Sequence, residues 1–430
     1  MFNKLRAIYQ VLHDTRLPRS KLDKVINKRL KAVLMSAYKH VPYYREVMKS
    51  VGYNPIRDYR SPEDLALLPI ITKKIIKQKG IKNFIRENSD LSTCYTDTTS
   101  GSTGIPLRIY RTSFEQLVEE AKWLFCLLKN GYSIRDKILS LKIPARFSRE
   151  HSLVTFPSIL QQFGFLRRHV IDYLLPADKM IDVLLEYKPN VLYGHKCPLD
   201  LMAMELKRQG VLCDNLKLLI GYGNVIYENT RQLWLKQFGI ELTETYGSVE
   251  IGVTAYETPS RDGLHLFEAF TLFEFLDENG KPVPPGEPGR LVMTDLTRKL
   301  MPFIRYDQGD MAMFKQIKGN DGSIQKRIIR IIGREEEFVL FPGGKCHPFL
   351  DDILSKFTEI QQFRIIQKTQ TLFHILVVAD SSYLRSIHND LLDLMQQEFP
   401  PEVTFEIIQV PRIDPDPSGK IRAFISEVAV

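Results

Sequence analysis

The chain has 430 residues, 44% hydrophobic and 26% charged, with a formal net charge of +8; that length exceeds one comfortable core, so two or three domains of ordinary globular composition are expected. No apolar run approaches the roughly 18 residues that span a bilayer. The five cysteines (Cys94, Cys126, Cys197, Cys213, Cys346) are scattered, odd in number and form no CxxC, which fits reduced structural thiols and excludes a sequence-local zinc cluster.

The charge is uneven, because residues 1–50 hold 12 Lys/Arg against 3 Asp/Glu. Within MFNKLRAIYQVLHDTR, Phe2, Leu5, Ile8, Tyr9 and Leu12 recur at helical spacing, and charges interrupt any signal-peptide core, so a cytoplasmic protein is expected. Such a basic amphipathic helix either packs on its own domain with its lysines in water, the plainer reading, or lies on an anionic membrane surface; a peripheral membrane contact through residues 1–50 therefore stays open. No aromatic-interleaved basic stripe or finger spacing is present, so no nucleic acid is expected. Oligomeric state is not legible.

Helical spacing continues over 20–50 and 113–130, after which short β-rich runs (KILSLKI, NVLYG, LKLLIGYG) alternate with helical stretches such as PLDLMAMELKRQG. That alternation predicts an α/β architecture. From about 264 the texture becomes HLFEAFTLFEFLD, NGKPVPPGEPG and RLVMTDL: strand, turn-rich connection, strand, as in a β-meander over about 264–333. After IIGREEE come a helix (HPFLDDILSKF), two strands (FRIIQK, TLFHILVVA), a helix (YLRSIHNDLLDLMQQEF), a strand (VTFEIIQV) and a glycine-lysine loop. The expected division is a large N-terminal α/β domain over 1–333, with its basic helical arm at 1–50 and β-rich subdomain, and a small C-terminal α+β domain over 334–430.

The stretch TDTTSGSTGIP at 96–106 is dense in hydroxyls and glycines. Taken alone it is a plain turn or a nest of backbone N–H groups for phosphate oxygens, and it is not the Walker pattern. Its context is ETYGSVEIG at 244–252, RYDQGD at 305–310, GR at 333–334 and PSGKIR at 417–422. That ordered set resembles the adenylate-forming superfamily of acyl and aryl ligases, and most closely the phenylacetate-coenzyme A ligase branch with its relatives from capsular polysaccharide gene clusters. HVPYYRE at 40–46 and LPIITKKIIKQ at 68–78 extend the similarity over almost the whole chain.

The resemblance implies an ATP-dependent ligase that activates a carboxylic acid as acyl-AMP and passes it to coenzyme A, or to an amine acceptor. It also implies that the small C-terminal domain is a mobile lid, turning about a residue near Glu336. A carboxylate is a poor electrophile, and adenylation gives it a leaving group; the step needs fixed positive charge and N–H dipoles around the phosphates, usually with Mg2+. By analogy Thr99, Ser100, Gly101, Ser102, Thr103 and Gly104 hold the β- and γ-phosphates, and Asp310 accepts from the ribose hydroxyls. Tyr246 offers a face for adenine, with Tyr222 and Gly223 on the other side, and Glu250 binds the metal. Arg334 and the catalytic Lys420 bring cations from the C-terminal side. Tyr193, His195 and Tyr222 are candidates for contact with the acid, whose identity no residue reveals. Lys345, Arg364 and Lys368 are candidates for the phosphates of coenzyme A.

Each assignment has a plainer rival: an Asx turn at Asp310, a buried ring at Tyr246, a core histidine at His195 and a solvated turn around Lys420. Three departures from the family pattern stand out. Val249 replaces a hydroxyl before the glutamate, Ile105 replaces a lysine after TG, and Tyr256 stands about where zinc-binding relatives carry cysteine, leaving His265 a structural histidine. Val249 also keeps alive a non-catalytic reading, a nucleotide-binding scaffold of a polysaccharide assembly.

Overall fold

Spacing of apolar residues at i, i+4, i+7 and i+8 makes Arg19–His40 a helix with one buried side, formed by Ile26, Leu30, Val33, Leu34 and Ala37. The computed structural model describes residues 2–98, 107–142, 161–173, 175–223, 226, 228–319, 323–334, 338–340, 346–348, 354, 357, 359–414 and 423–428. The chain divides into two compact units, one of residues 1–135, 144–167 and 245–331, the other of 136–143, 168–244 and 332–430.

In the first unit, helix Phe2–Asp14 lies on helix Ser113–Lys129, burying Ala7 and Val11 among Val118, Ala121 and Phe125. The second of these helices starts at a capping box: Thr112 Oγ1 accepts from the Glu115 amide at 3.2 Å, and Glu115 Oε2 accepts from the Thr112 amide at 2.8 Å. The other Glu115 oxygen accepts from the backbone of Lys299 and Leu300, which ties the helix start to the turn after strand Gly289–Asp295.

The expected β-meander is present in a different form. The run 265–277 is two strands, Leu264–Leu266 and Thr271–Leu276, separated by a turn in which the Phe270 amide donates to the Phe267 carbonyl at 2.8 Å. Burial of Phe267 and Phe270 beside Phe125 breaks the strand, because continued alternation would put one ring in water. Thr271–Leu276 pairs antiparallel with Gly289–Asp295, which pairs with Tyr306–Lys318 and so leads on to Ile324–Arg334, Leu264–Leu266 and Gly252–Tyr256. Residues 245–248 of strand Leu242–Ser248 pair with the last of these.

In the second unit the β-rich runs form parallel strands. Leu218–Tyr222, Val191–His195, Ile138–Lys142 and Arg168–Asp172 follow in order, with Leu242–Glu244 beside the first. Helices Ala177–Tyr187, Lys196–Gln209 and Glu228–Phe238 connect them, and Leu139, Leu141, Leu192 and Leu219 are fully buried, as strands covered on both faces require. A second sheet takes the order Thr404–Gln409, Leu372–Val378, Gln362–Gln367, Phe424–Ser426, with helix Ser381–Glu398 packed on it through Leu391 and Met395. The final strand was not anticipated; three residues carry too little period to announce themselves. The expected helix at 347–357 lies largely outside the described residues.

Candidate active site

Three side chains of strand Tyr306–Lys318 organise the first unit's polar centre. The Tyr246 hydroxyl donates to Asp310 Oδ2 at 2.6 Å, and Gln308 Nε2 donates to the same oxygen at 2.6 Å and to the Tyr246 hydroxyl. Further up the strand, the Tyr306 hydroxyl donates to Glu250 Oε1 at 3.2 Å. Tyr246 and Glu250 are both buried. The Gly309 amide donates to Asp307 Oδ1 at 2.7 Å in a backbone with φ of +89°, so the residue before Asp310 is in glycine's own conformation.

The turn that carries Glu250 is held from behind by buried arginines. Arg298, fully buried, donates to the Glu250 carbonyl, and Arg111, also buried, donates to the Val249 carbonyl and pairs with Asp97. Arg298 further pairs with Asp295 at 3.1 Å and Glu119 at 3.5 Å, while Lys122 pairs with Glu119 at 2.9 Å. Burial, then repulsion from Arg298, lowers the Arg111 pKa; Asp97 and Glu119 oppose that shift. Glu119 packs so close to Gly252, at φ +83°, that an added Cβ would overlap its carboxylate. Gly247 is similarly required, since a Cβ there would strike the Gly252 carbonyl across the irregular strand pair. Ser248 Oγ accepts from the Ile251 amide at 3.2 Å, and the neighbouring Val249 is 37% exposed.

A separate aromatic cluster forms in the second unit. Tyr193 and Tyr222, on adjacent parallel strands, stack with ring centres 4.7 Å apart. His195 lies 4.4 Å from the Tyr222 ring and 5.1 Å from Tyr173. Gly223, at φ +88°, leaves room for the His195 ring, which any Cβ would overlap. Burial pushes the Tyr222 hydroxyl well above the usual tyrosine range, with Tyr193 adding and Arg168 opposing.

Comparison with known proteins supplies the kinship. The phenylacetate-coenzyme A ligase of Thermus thermophilus is 25% identical over 363 residues, covering 79% of this chain and 76% of that protein. The chain is a relative of the phenylacetate-coenzyme A ligases. Among solved structures, 2-hydroxyisobutyryl-CoA ligase in the postadenylation state with 2-HIB-AMP matches with a TM-score of 0.79 at 18% identity, over 96% of this chain and 90% of that one. The fold is that of the adenylate-forming ligases. A fumarate–(S)-2,3-diaminopropanoate ligase of Enterobacter agglomerans is 24% identical over 57% of this chain and 61% of its own length. Residues 344–427 match the CapK C-terminal domain family.

In this phenylacetate-coenzyme A ligase relative, two groups of the sequence-predicted residues come together. Tyr246, Asp310 and Glu250 gather in the first unit, and Tyr193, His195, Tyr222 and Gly223 gather in the second. Thr99–Gly104, Lys345, Glu336 and Lys420 lie outside the described residues, and Arg334 ends strand Ile324–Arg334. The hydroxyl-rich loop is bracketed by a hairpin, Tyr95–Thr98 paired with Arg108–Arg111, in which Thr98 faces Arg108. Arg364 donates to the Asp414 carbonyl at 3.1 Å, and Lys368 pairs with Glu427 at 2.5 Å. His265 is tied to Asp262 at 2.9 Å and Thr258 at 3.2 Å.

Sequence reasoning missed Gln308, Tyr306, Arg298 and the Arg111–Glu119–Lys122 group. Tyr306 and Gln308 stand four and two residues before Asp310, a spacing that puts them on its side of a regular strand. For the buried arginines the available signal was weaker: polar residues inside the apolar helix sequence SFEQLVEEAKWLF.

Proposed function

We propose that the chain activates a carboxylic acid with ATP, forming acyl-AMP and pyrophosphate, and passes the acyl group to an acceptor, for which coenzyme A is the first choice. The observation that carries this is the Tyr246–Gln308–Asp310 group, whose Gln308 and Asp310 stand on the same strand as Tyr306, the support of Glu250. Asp310 already accepts two hydrogen bonds on Oδ2, so its carboxylate is oriented before a ribose arrives. Tyr246, fixed at its hydroxyl, offers a ring of set orientation to adenine. Thr99–Gly104 supply amides and hydroxyls to the phosphates, and Lys420 and Arg334 bring positive charge to the developing transition state.

Glu250 fits a hard divalent cation such as Mg2+. Its backbone and one carboxylate oxygen are fixed by Arg298 and Tyr306, and no cluster of three His, Cys, Asp or Glu exists among the described residues. Mg2+ is commonly held by one or two carboxylates with water and substrate phosphates, which needs no such cluster. Bound there, the ion would neutralise phosphate charge, and the work of this chain is to orient Glu250 toward it.

A specific observation favours a second acceptor. Arg364 and Lys368, the described cations proposed for coenzyme A, are engaged by Asp414 and Glu427. The diaminopropanoate ligase relative has a co-substrate that bears amino groups, and the CapK match supports a place in polysaccharide assembly. An amide formed on an amino sugar or amino acid is the alternative.

The test is exchange of labelled pyrophosphate into ATP across aryl, fatty, amino and sugar acids. Exchange that depends on one class of acid is expected, followed by thioester or amide on adding coenzyme A or an amine. ATP binding without exchange under any acid would instead establish the scaffold reading.

A further inference from the structure

We propose that helix Phe2–Asp14 docks the protein on a bilayer surface that bears anionic lipids. The helix buries one side and shows the other: Ala7 and Val11 are fully covered and Ile8 and Leu12 pack half-buried against the same cluster, whereas Phe2, Leu5 and Tyr9 are 79%, 59% and 67% exposed. At 3.6 residues per turn, Phe2, Leu5 and Tyr9 fall within an arc of roughly 60°, and Ala7, Val11 and Asp14 fall on the opposite side. The exposed residues thus form a stripe rather than scattered single side chains, and an exposed apolar stripe marks a surface with a partner.

Charge identifies the partner. Residues 1–50 carry 12 Lys/Arg and only 3 Asp/Glu, and two of those acids are paired with Arg29 and Arg19. The next helix, Arg19–His40, repeats the geometry: Lys21, Lys24, Lys28 and Lys31 are exposed at helical spacing opposite its buried face of Ile26, Leu30, Val33 and Ala37. Arg6 stands over the Phe114 ring at 5.0 Å, beside the stripe rather than within it. Apolar side chains that enter the acyl boundary, carried on an arm whose lysines meet lipid phosphates, are the composition of an interfacial anchor. A second copy of the same basic arm would meet like charge, which disfavours self-association here. No helix among the described residues is long and apolar enough to cross a membrane, so the contact is peripheral. It is independent of the chemistry at Asp310.

The test uses the full chain and sedimentation with vesicles of phosphatidylcholine alone or mixed with phosphatidylglycerol. Binding to the mixed vesicles is expected, weakening as salt shortens the range of the charges. The variant Phe2→Ser, Leu5→Ser, Tyr9→Ser should bind at least about tenfold more weakly with an unchanged melting temperature, since those side chains are exposed. Lys21→Glu, Lys24→Glu, Lys28→Glu should abolish the preference for phosphatidylglycerol. Equal binding to both vesicle types, or undiminished binding by the serine variant, overturns the proposal. So does a dimer in solution that the serine variant dissociates, because the stripe then covers a second copy.

Discussion

Asp310 meets two donors through one oxygen, so a ribose must share or displace bonds that the protein already makes. Asp310→Asn keeps the shape and removes the charge. Charge-assisted hydrogen bonds are worth about 1.5 to 3 kcal/mol, so the affinity for ATP, measured by calorimetry, should fall by about tenfold or more. Tyr246→Phe removes one donor and leaves the carboxylate, and should cost less. If the Asp310→Asn variant binds ATP as tightly as the parent, Asp310 is a structural partner of Tyr246 and nothing more. Asp310 and Tyr246 were singled out because RYDQGD and ETYGSVEIG resemble family motifs, and the fold joins the two side chains by a hydrogen bond. Gln308 was not, since a glutamine declares its role only when its amide is seen between two partners. His265, read from sequence as a structural histidine, hydrogen-bonds with Asp262 and Thr258.

At the scale of elements, the strand-turn-strand from Leu242–Ser248 to Gly252–Tyr256 is the feature on which Glu250 depends. Two glycines close the turn, and the buried guanidinium groups of Arg298 and Arg111 donate to its carbonyls. Removing one member of a buried ionic group typically costs about 3 to 5 kcal/mol, because the remaining charge is stranded. Gly252→Ala combines a left-handed backbone with overlap on Glu119, and should lower stability by about 2 to 4 kcal/mol in urea unfolding. Gly280→Ala provides the comparison: its φ of +75° is strained for alanine, yet nothing lies within 4 Å of the new Cβ. A cost of about 1 kcal/mol is expected there. Equal costs at the two positions would mean that Glu119 does not press on the turn. Helices were readable from period, as in Ser113–Lys129, and buried strands from short β-rich runs between them, as in Leu218–Tyr222. The split of 265–277 into two strands was not, because both strands and the turn between them are equally apolar, and only the packing of Phe267 and Phe270 separates them.

Across the whole molecule, charge, fold and chemistry are distributed over distant parts of the chain. Lys420 is the catalytic cation proposed from the C-terminal side; Lys420→Ala should slow adenylate formation by orders of magnitude and affect transfer from a preformed acyl adenylate far less. Separate assays of the two half-reactions check this, and equal loss in both, with folding intact, removes the role. The α/β class, the basic arm and the ordered motifs of an adenylate-forming ligase are all legible along the chain, because period, composition and short patterns are properties of neighbouring residues. Which of those residues meet is a property of the folded chain alone. Tyr246 reaches Asp310 across 64 positions, and Arg298 reaches the Glu250 carbonyl across 48. Folding also sends Ala7 and Val11 of the first helix inward while Phe2, Leu5 and Tyr9 stay out. An amphipathic pattern limits which faces can be buried, but the face that is buried is set by the surface it meets; against Ser113–Lys129 the helix turns in Ala7 and Val11, with Ile8 and Leu12 at the margin, and leaves Phe2, Leu5 and Tyr9 to water or to a partner.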